Sequence, residues 1–461
     1  MGAQIPSVTA VHQEKHHSLR ADFSWTLVGT AIYAGGQFAT LMLLAKLVRP
    51  ELVGRYALGL AIVYPAMMFT NLQLRAVITS GTRPQTHFGH YLTLRLLSTS
   101  LALVLIFAIT QILRYSWELT AVVLMVGVAY AVETISDVYY ARLQLHDRMA
   151  AISKSLIMRA LLSVFGLVVA TFSTRSLVWG VGGIVLARSI VLLGYDIPGR
   201  THGLSGESKW FSLNEALRPQ FDQRIQRELL WVSLPLGIVV LLSCLNSSMP
   251  NFFIKQALGE RDLGIFAAIG FMVSVGNMAV VSLGQSAFTR LARSYAAGNL
   301  ASFRSLLGKL LTFGAIIGLS GMIISKLAGR EILSVLFRPE YAERADLLPW
   351  IMAAGGVLYM AQFLGFGMTA AGFYNSQVVL NILANVSLFA ACFWLVARRG
   401  LLGAIFAMLI AASVQLAASV VILLMGVRKR THEPSKTLEQ LDAITRTPVS
   451  REPRPVFNGG D

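Results

Sequence analysis

Apolar runs of roughly twenty residues recur along nearly the whole chain, parted by short polar stretches. Each is long enough to cross about 30 Å of hydrocarbon as a helix. The pattern predicts twelve spans, at 23–45, 54–77, 91–113, 119–141, 155–173, 176–195, 229–253, 263–288, 307–328, 346–368, 377–397 and 401–426. The expected fold is therefore an all-α polytopic membrane protein. Residues 1–22 lack the short apolar core of a signal peptide, so the first span is expected to stay uncleaved.

One stretch repeats. LAKLVRPELVGRYALGLAI, beginning at Leu44, has a degraded copy beginning at Phe253, FIKQALGERDLGIFAAIG. Lys46 answers to Lys255, Glu51 to Glu260, Gly54 to Gly264, Tyr56 to Phe266 and Ala57 to Ala267, with one residue inserted before the second glycine. The repeat predicts two six-helix lobes, 23–196 and 229–427. Six spans per lobe is an even number, so both lobes enter the membrane the same way. Their expected relation is a pseudo-twofold axis along the membrane normal.

Composition agrees. Charged residues make up 13% of the chain and hydrophobic ones 55%, with a mean hydropathy of +0.62. A net charge of +16 raises the question of nucleic acid, but the cations sit in short loops between spans, so none is expected as a partner. The 39 Lys and Arg residues split about two to one in favour of the end that carries both termini, which places both termini in the cytoplasm. The same charge favours anionic lipids as partners. The two cysteines, Cys244 and Cys392, fall within apolar runs, which argues against a disulfide or a metal site.

Three segments lie outside the spans. Residues 197–228 join the lobes, and Trp210, Leu213, Leu217, Phe221 and Ile225 recur there at helical spacing among Lys209, Arg218, Arg224 and Arg227. This fits either an amphipathic helix on the inner leaflet, interrupted near Pro219, or an ordinary solvated linker. Residues 428–461 read as a disordered cytoplasmic tail behind the cluster Arg428, Lys429 and Arg430. His12, His16 and His17 have metal-compatible spacing, but lie in a polar N-terminal tail.

The candidate chemistry lies within the spans, where an ionisable side chain usually faces a cavity or a partner. On the fourth span Tyr130, Glu133, Asp137, Tyr140 and Gln144 fall within about 80° of arc at 100° per residue. The first span offers Thr26, Thr30, Tyr33, Gln37 and Thr40, and the second Tyr64, Asn71 and Arg75. Arg75, Arg95, Arg159 and Arg188 lie one to two turns inside spans, and an arginine fork suits a diphosphate. The alternative is that each snorkels to headgroups or pairs with Glu133 or Asp137. Glu133 and Asp137 are candidates for ion coupling or for balancing those cations. In the C-terminal half, Asn246, Asn251, Asn277, Gln285, Gln362, Asn381, Asn385 and Gln415 can line a sugar path, Asn246 and Gln285 foremost, or bridge helices. Arg290 corresponds to Arg75 in the repeat. No phosphate-binding glycine loop, metal-ligand cluster or Gly-x-Ser-x-Gly elbow appears, so neither enzyme activity nor a cofactor is expected.

The Leu44 unit with the span end NLQLR resembles the opening of the bacterial polysaccharide transporters. These are the Wzx-type flippases within the multidrug/oligosaccharidyl-lipid/polysaccharide exporter superfamily. The segments AVETISDVYYARLQLHDRM (131–149) and ILSVLFRPEYAERADLLPWI (332–351) carry the same resemblance. It runs from about Phe23 to Arg428, and its motifs are loose. It implies alternating access through a central cavity in the inner membrane, with an undecaprenyl-diphosphate-linked oligosaccharide as cargo. That cargo feeds exopolysaccharide, capsule or O-antigen synthesis, with a polymerase or co-polymerase close by. It also implies Arg75, Arg95, Arg159, Arg188 and Arg290 as diphosphate contacts and Tyr33, Gln37, Asn71, Tyr140, Asn246 and Gln285 as sugar contacts. The rival readings are a multidrug/cation antiporter, a lipid II flippase and a non-transporting scaffold for glycosyltransferases.

Overall fold

The computed structural model of the chain describes residues 19–79, 87–198 and 218–432, and these form helices with no strand among them. His12, His16 and His17, Lys209, Trp210, Leu213 and Leu217, and the tail from 433 onward lie outside the described residues. Among the described residues, eleven helices are long and apolar enough to span. They are α1 (Leu19–Leu47), α2 (Pro50–Thr70), α3 (Phe88–Ile112), α4 (Trp117–Leu145), α5 (Met149–Thr174), α6 (Leu177–Val191), α7 (Gln223–Leu258), α8 (Glu260–Ala296), α9 (Leu300–Leu336), α10 (Leu348–Ala370) and α11 (Tyr374–His432). As one straight rod the 59 residues of α11 would run about 88 Å. Instead the backbone turns back at Gly400, where φ is 58° and ψ −135°. A Cβ on Gly426 would lie 2.2 Å from the ring of Phe373, so the two ends of α11 meet. Its returning arm supplies a twelfth rod, so the described residues hold eleven to twelve candidate spans and the protein is a multi-pass membrane protein.

Local chemistry sets the ends. Pro50 and Glu51 open α2, where a missing N–H costs nothing and a carboxylate meets the positive end of the helix dipole. Asp222 caps α7 through the N–H groups of Arg224 and Ile225, and Asn299 caps α9 through that of Ser302. Gly259 makes the whole α7–α8 turn at φ 94°, a conformation costly for any side chain.

Two differences from the sequence expectation matter. The second span is not one rod to residue 77. It breaks at Asn71–Gln73, with Leu72 and Gln73 both left-handed at φ 53° and 48°, and resumes as a short helix Leu74–Thr79 that carries Arg75. The seventh begins at Gln223, inside the expected linker, and the described residues just before it, 218–222, are not helical. Instead the Gln220 N–H donates to the Gly89 carbonyl, Thr93 Oγ1 donates to the Gln220 carbonyl, and Gln226 Nε2 donates to the His90 carbonyl. Phe221 therefore shares no helix with the linker residues before it.

Helices α1–α6 pack mainly among themselves, as do α7–α11, and α2 joins the groups by long seams with α7 and α8. By contrast α1 touches α8 little, chiefly at Phe38 and Phe271, whose rings lie 5.5 Å apart. The α2–α8 seam is reciprocal. A Cβ on Gly54 would fall 1.9 Å from the Glu260 carbonyl oxygen, and one on Gly264 1.9 Å from that of Pro50. Of the glycines in the sixth span, Gly183 meets the backbone of Gly166 on α5 and Gly180 meets Thr171, whereas Gly182 faces open space. A Cβ at Gly183 would sit 2.2 Å from a carbonyl oxygen. Gly183→Val is therefore expected to destabilise the α5–α6 pair by about 1–3 kcal/mol. A thermal melt in detergent checks this, with Gly182→Val as the near-neutral control.

Candidate functional site

The α4 stripe is the spine of a polar cluster buried among α1–α6. Glu133 accepts from Arg188 Nη1 at 2.6 Å and from the Tyr33 hydroxyl, which in turn accepts from Gln37 Nε2 at 2.9 Å. Arg188 also donates to the Ala129 carbonyl at 3.1 Å and lies 5.2 Å above the Tyr130 ring. One turn along, Asp137 meets Arg75 at 3.4 Å and Arg95 at 3.7 Å. Arg75 Nε donates to Gln144 Oε1 at 2.9 Å. Tyr140 lies between Arg75 and Arg159, with guanidinium-to-ring distances of 5.8 and 5.4 Å. All five stripe residues thus meet at least one of the four arginines.

The arginines are not alike. Arg95 is fully buried and donates to both the carbonyl and the side-chain oxygen of Asn71, at 2.9 Å each. It holds the break that ends α2. Arg159 is equally buried, and its partner is a carboxylate that span-by-span reading passed over. Asp196 closes a π-helical turn, Leu192–Asp196, at the end of α6. It accepts from Arg159 at 3.0 Å and from Ser155 at 2.6 Å, and Ser155 contacts the Tyr140 hydroxyl at 2.7 Å. The available signal was the four-residue spacing of Ser155 and Arg159, which puts both on one face of α5. Arg188 and Arg75 pair with carboxylates that keep 23–24% of their surface exposed.

Four guanidiniums against three carboxylates leave the cluster one net positive charge. Arg159 and Arg188 line a void with Tyr33, Gln37, Thr40 and Ser163, and the Nε atom of each has no partner. The void measures about 10 Å³, roughly room for one water.

The remaining predicted residues lie elsewhere. Arg290 and Gln285 are exposed on α8, with no side-chain bond among the described residues, and Asn246 is half-buried on α7. Asn385 bridges helices by donating to the Leu242 carbonyl at 2.9 Å. A second cluster, not anticipated, crosses the α2–α8 seam. There Arg55 Nε meets Glu260 at 2.7 Å and Arg55 Nη1 meets Glu118 at 2.9 Å, while Lys255 meets Glu260 at 3.1 Å.

Known structures share this architecture. A lipid II flippase, MurJ, in an inward closed conformation superposes with a TM-score of 0.69 at 10% identity, covering 93% of this chain and 94% of that one. An inward-facing multidrug resistance MATE transporter of the MOP superfamily gives 0.59 at 12%, covering 92% and 96%. The fold is that of the MOP-superfamily transporters. The polysaccharide biosynthesis protein family model matches residues 19–294, and the chain belongs to that family. It is similar to the capsular polysaccharide biosynthesis protein CapF of Staphylococcus aureus, with 24% identity over 83% of this chain and 93% of that protein.

Proposed function

We propose that the protein flips an undecaprenyl-diphosphate-linked oligosaccharide from the cytoplasmic to the periplasmic leaflet, for capsule, exopolysaccharide or O-antigen assembly. The observation that carries the reading is the pair Arg159 and Arg188, which face one void with unbonded Nε donors inside a net-positive cluster. A diphosphate presents oxygens that a guanidinium fork grips two at a time. Glu133, Asp137 and Asp196 pair with the same guanidiniums, which keeps the cations neutralised in low dielectric until an anion replaces them. Tyr33, Gln37 and Tyr140 supply hydroxyl and amide groups toward sugars, while the polyprenyl tail stays in lipid. Arg75, half-buried at one edge of the cluster, is the first cation an entering headgroup meets, and Arg95 serves the α2 break. Alternating access between lobes related by a pseudo-twofold axis fits the reciprocal Gly54–Gly264 contact. Positive-inside bias supports cytoplasmic termini. A cation antiporter would require an acidic cavity, and the surplus positive charge weighs against it.

Deletion of the gene, followed by lipid extraction from the inner membrane, tests the assignment. Undecaprenyl-diphosphate oligosaccharide is expected to accumulate on the cytoplasmic face while surface polymer disappears. Unchanged polymer with new sensitivity to cationic drugs would instead make the protein an antiporter.

A further inference from the structure

The second charge cluster has an arrangement that a static clamp does not need. Arg55 on α2 and Glu260 on α8 form the tightest ion pair across the seam, at 2.7 Å, and both side chains are about three-quarters buried. Each also holds a second partner within its own half of the chain. For Arg55 this is Glu118 on α4, at 2.9 Å, and for Glu260 it is Lys255 on α7, at 3.1 Å. The backbones beside them are in direct contact at Gly54 and Gly264. A weaker, exposed pair, Arg261 with Glu51 at 4.0 Å, crosses the same seam.

Separating the halves here breaks the Arg55–Glu260 bond. In most buried ion pairs that would strand two charges, at a cost that locks the contact shut. Here neither charge is stranded, because Arg55 keeps Glu118 and Glu260 keeps Lys255. We infer that Arg55 and Glu260 form a release latch, in which Glu118 and Lys255 take over the two charges when the seam opens. The same two residues that brace the closed state therefore lower the cost of the open one. The inference rests on the alternating-access part of the proposed function. It is read without cargo, so that a failed cargo assignment and a failed latch are separate outcomes.

The test uses electron–electron distance measurements on the full-length protein in lipid nanodiscs. Spin labels are attached at Arg49→Cys and Ala257→Cys, two exposed positions on opposite sides of the seam, with Cys244→Ser and Cys392→Ser. Gly264→Ala, whose Cβ would strike the Pro50 carbonyl oxygen, is expected to add a longer-distance population. Gly54→Ala does the same from the other side, should the first variant not accumulate. Within that mixed population, Glu260→Gln is expected to raise the longer-distance fraction relative to the short one about two- to fivefold, as loss of a partly exposed ion pair implies. Glu118→Gln and Lys255→Gln are expected to lower it by a similar factor, because they remove partners that the open state depends on. If all three substitutions raise the fraction, the cluster is a plain clamp and the hand-over is wrong. If Glu260→Gln leaves it unchanged, or neither glycine variant opens the seam, there is no latch.

Discussion

Arg188→Ala is expected to abolish surface polymer while leaving the protein at its normal level in the membrane. Arg188 is the hub of the void, bonded to Glu133 and to the Ala129 carbonyl, and stacked on Tyr130. Losing a guanidinium that grips a buried anion costs about 2–5 kcal/mol of binding. At 1.4 kcal/mol per tenfold, that is a drop of roughly thirtyfold or more. The fold is expected to survive because the orphaned Glu133 keeps its bond from Tyr33 and retains 23% of its surface. Arg188→Lys keeps the charge but loses the fork, so partial export should remain. Immunoblots of membranes alongside polymer assays separate the two effects. Full export by Arg188→Ala would move this residue from the cargo site to the scaffold.

Asp196→Ala should fail in the opposite way, at the level of the fold. Both members of the Arg159–Asp196 pair are essentially inaccessible, at 1% and 0% side-chain exposure. Removing one leaves an uncompensated charge, which costs about 3–5 kcal/mol, a large part of the stability of many domains. Little folded protein should accumulate. The double substitution Arg159→Met with Asp196→Leu removes both charges, and should restore folded protein without restoring export. Normal accumulation of Asp196→Ala would show that the pair is dispensable to the fold. Export by the double variant would show that Arg159 does not contact the cargo.

What the chain disclosed in advance follows the range of each interaction. The α4 stripe was legible because Glu133 and Asp137 sit four residues apart, and helical periodicity alone fixes their shared face. The correspondence of Gly54 with Gly264 was legible as a repeat, but only the structure shows the two copies touching each other. Asp196 escaped notice because it lies one residue past an apolar run, where a carboxylate looks like a loop residue. Its burial comes from α4 and α5 closing over a π-helical turn, and no local pattern encodes that. The Arg55–Glu260 pair joins residues 205 positions apart, and only packing reveals it. Glu133 and Asp137 were legible as partners for the arginines, and they pair with Arg188, Arg75 and Arg95, whereas the partner of Arg159 was not.

The break in α2 has a mechanical consequence. An unbroken helix is a stiff rod, and tilting one end swings the other. Between Thr70 and Leu74 the hydrogen-bonded ladder is interrupted by two left-handed residues, so little bending moment passes across it. The seam-forming length of α2 is therefore mechanically separate from Arg75, which on the short helix beyond is moored to Gln144 and Asp137. Arg95 clamps Asn71 at the joint between the two. A seam and a grip are thus made as two segments from one stretch of thirty residues.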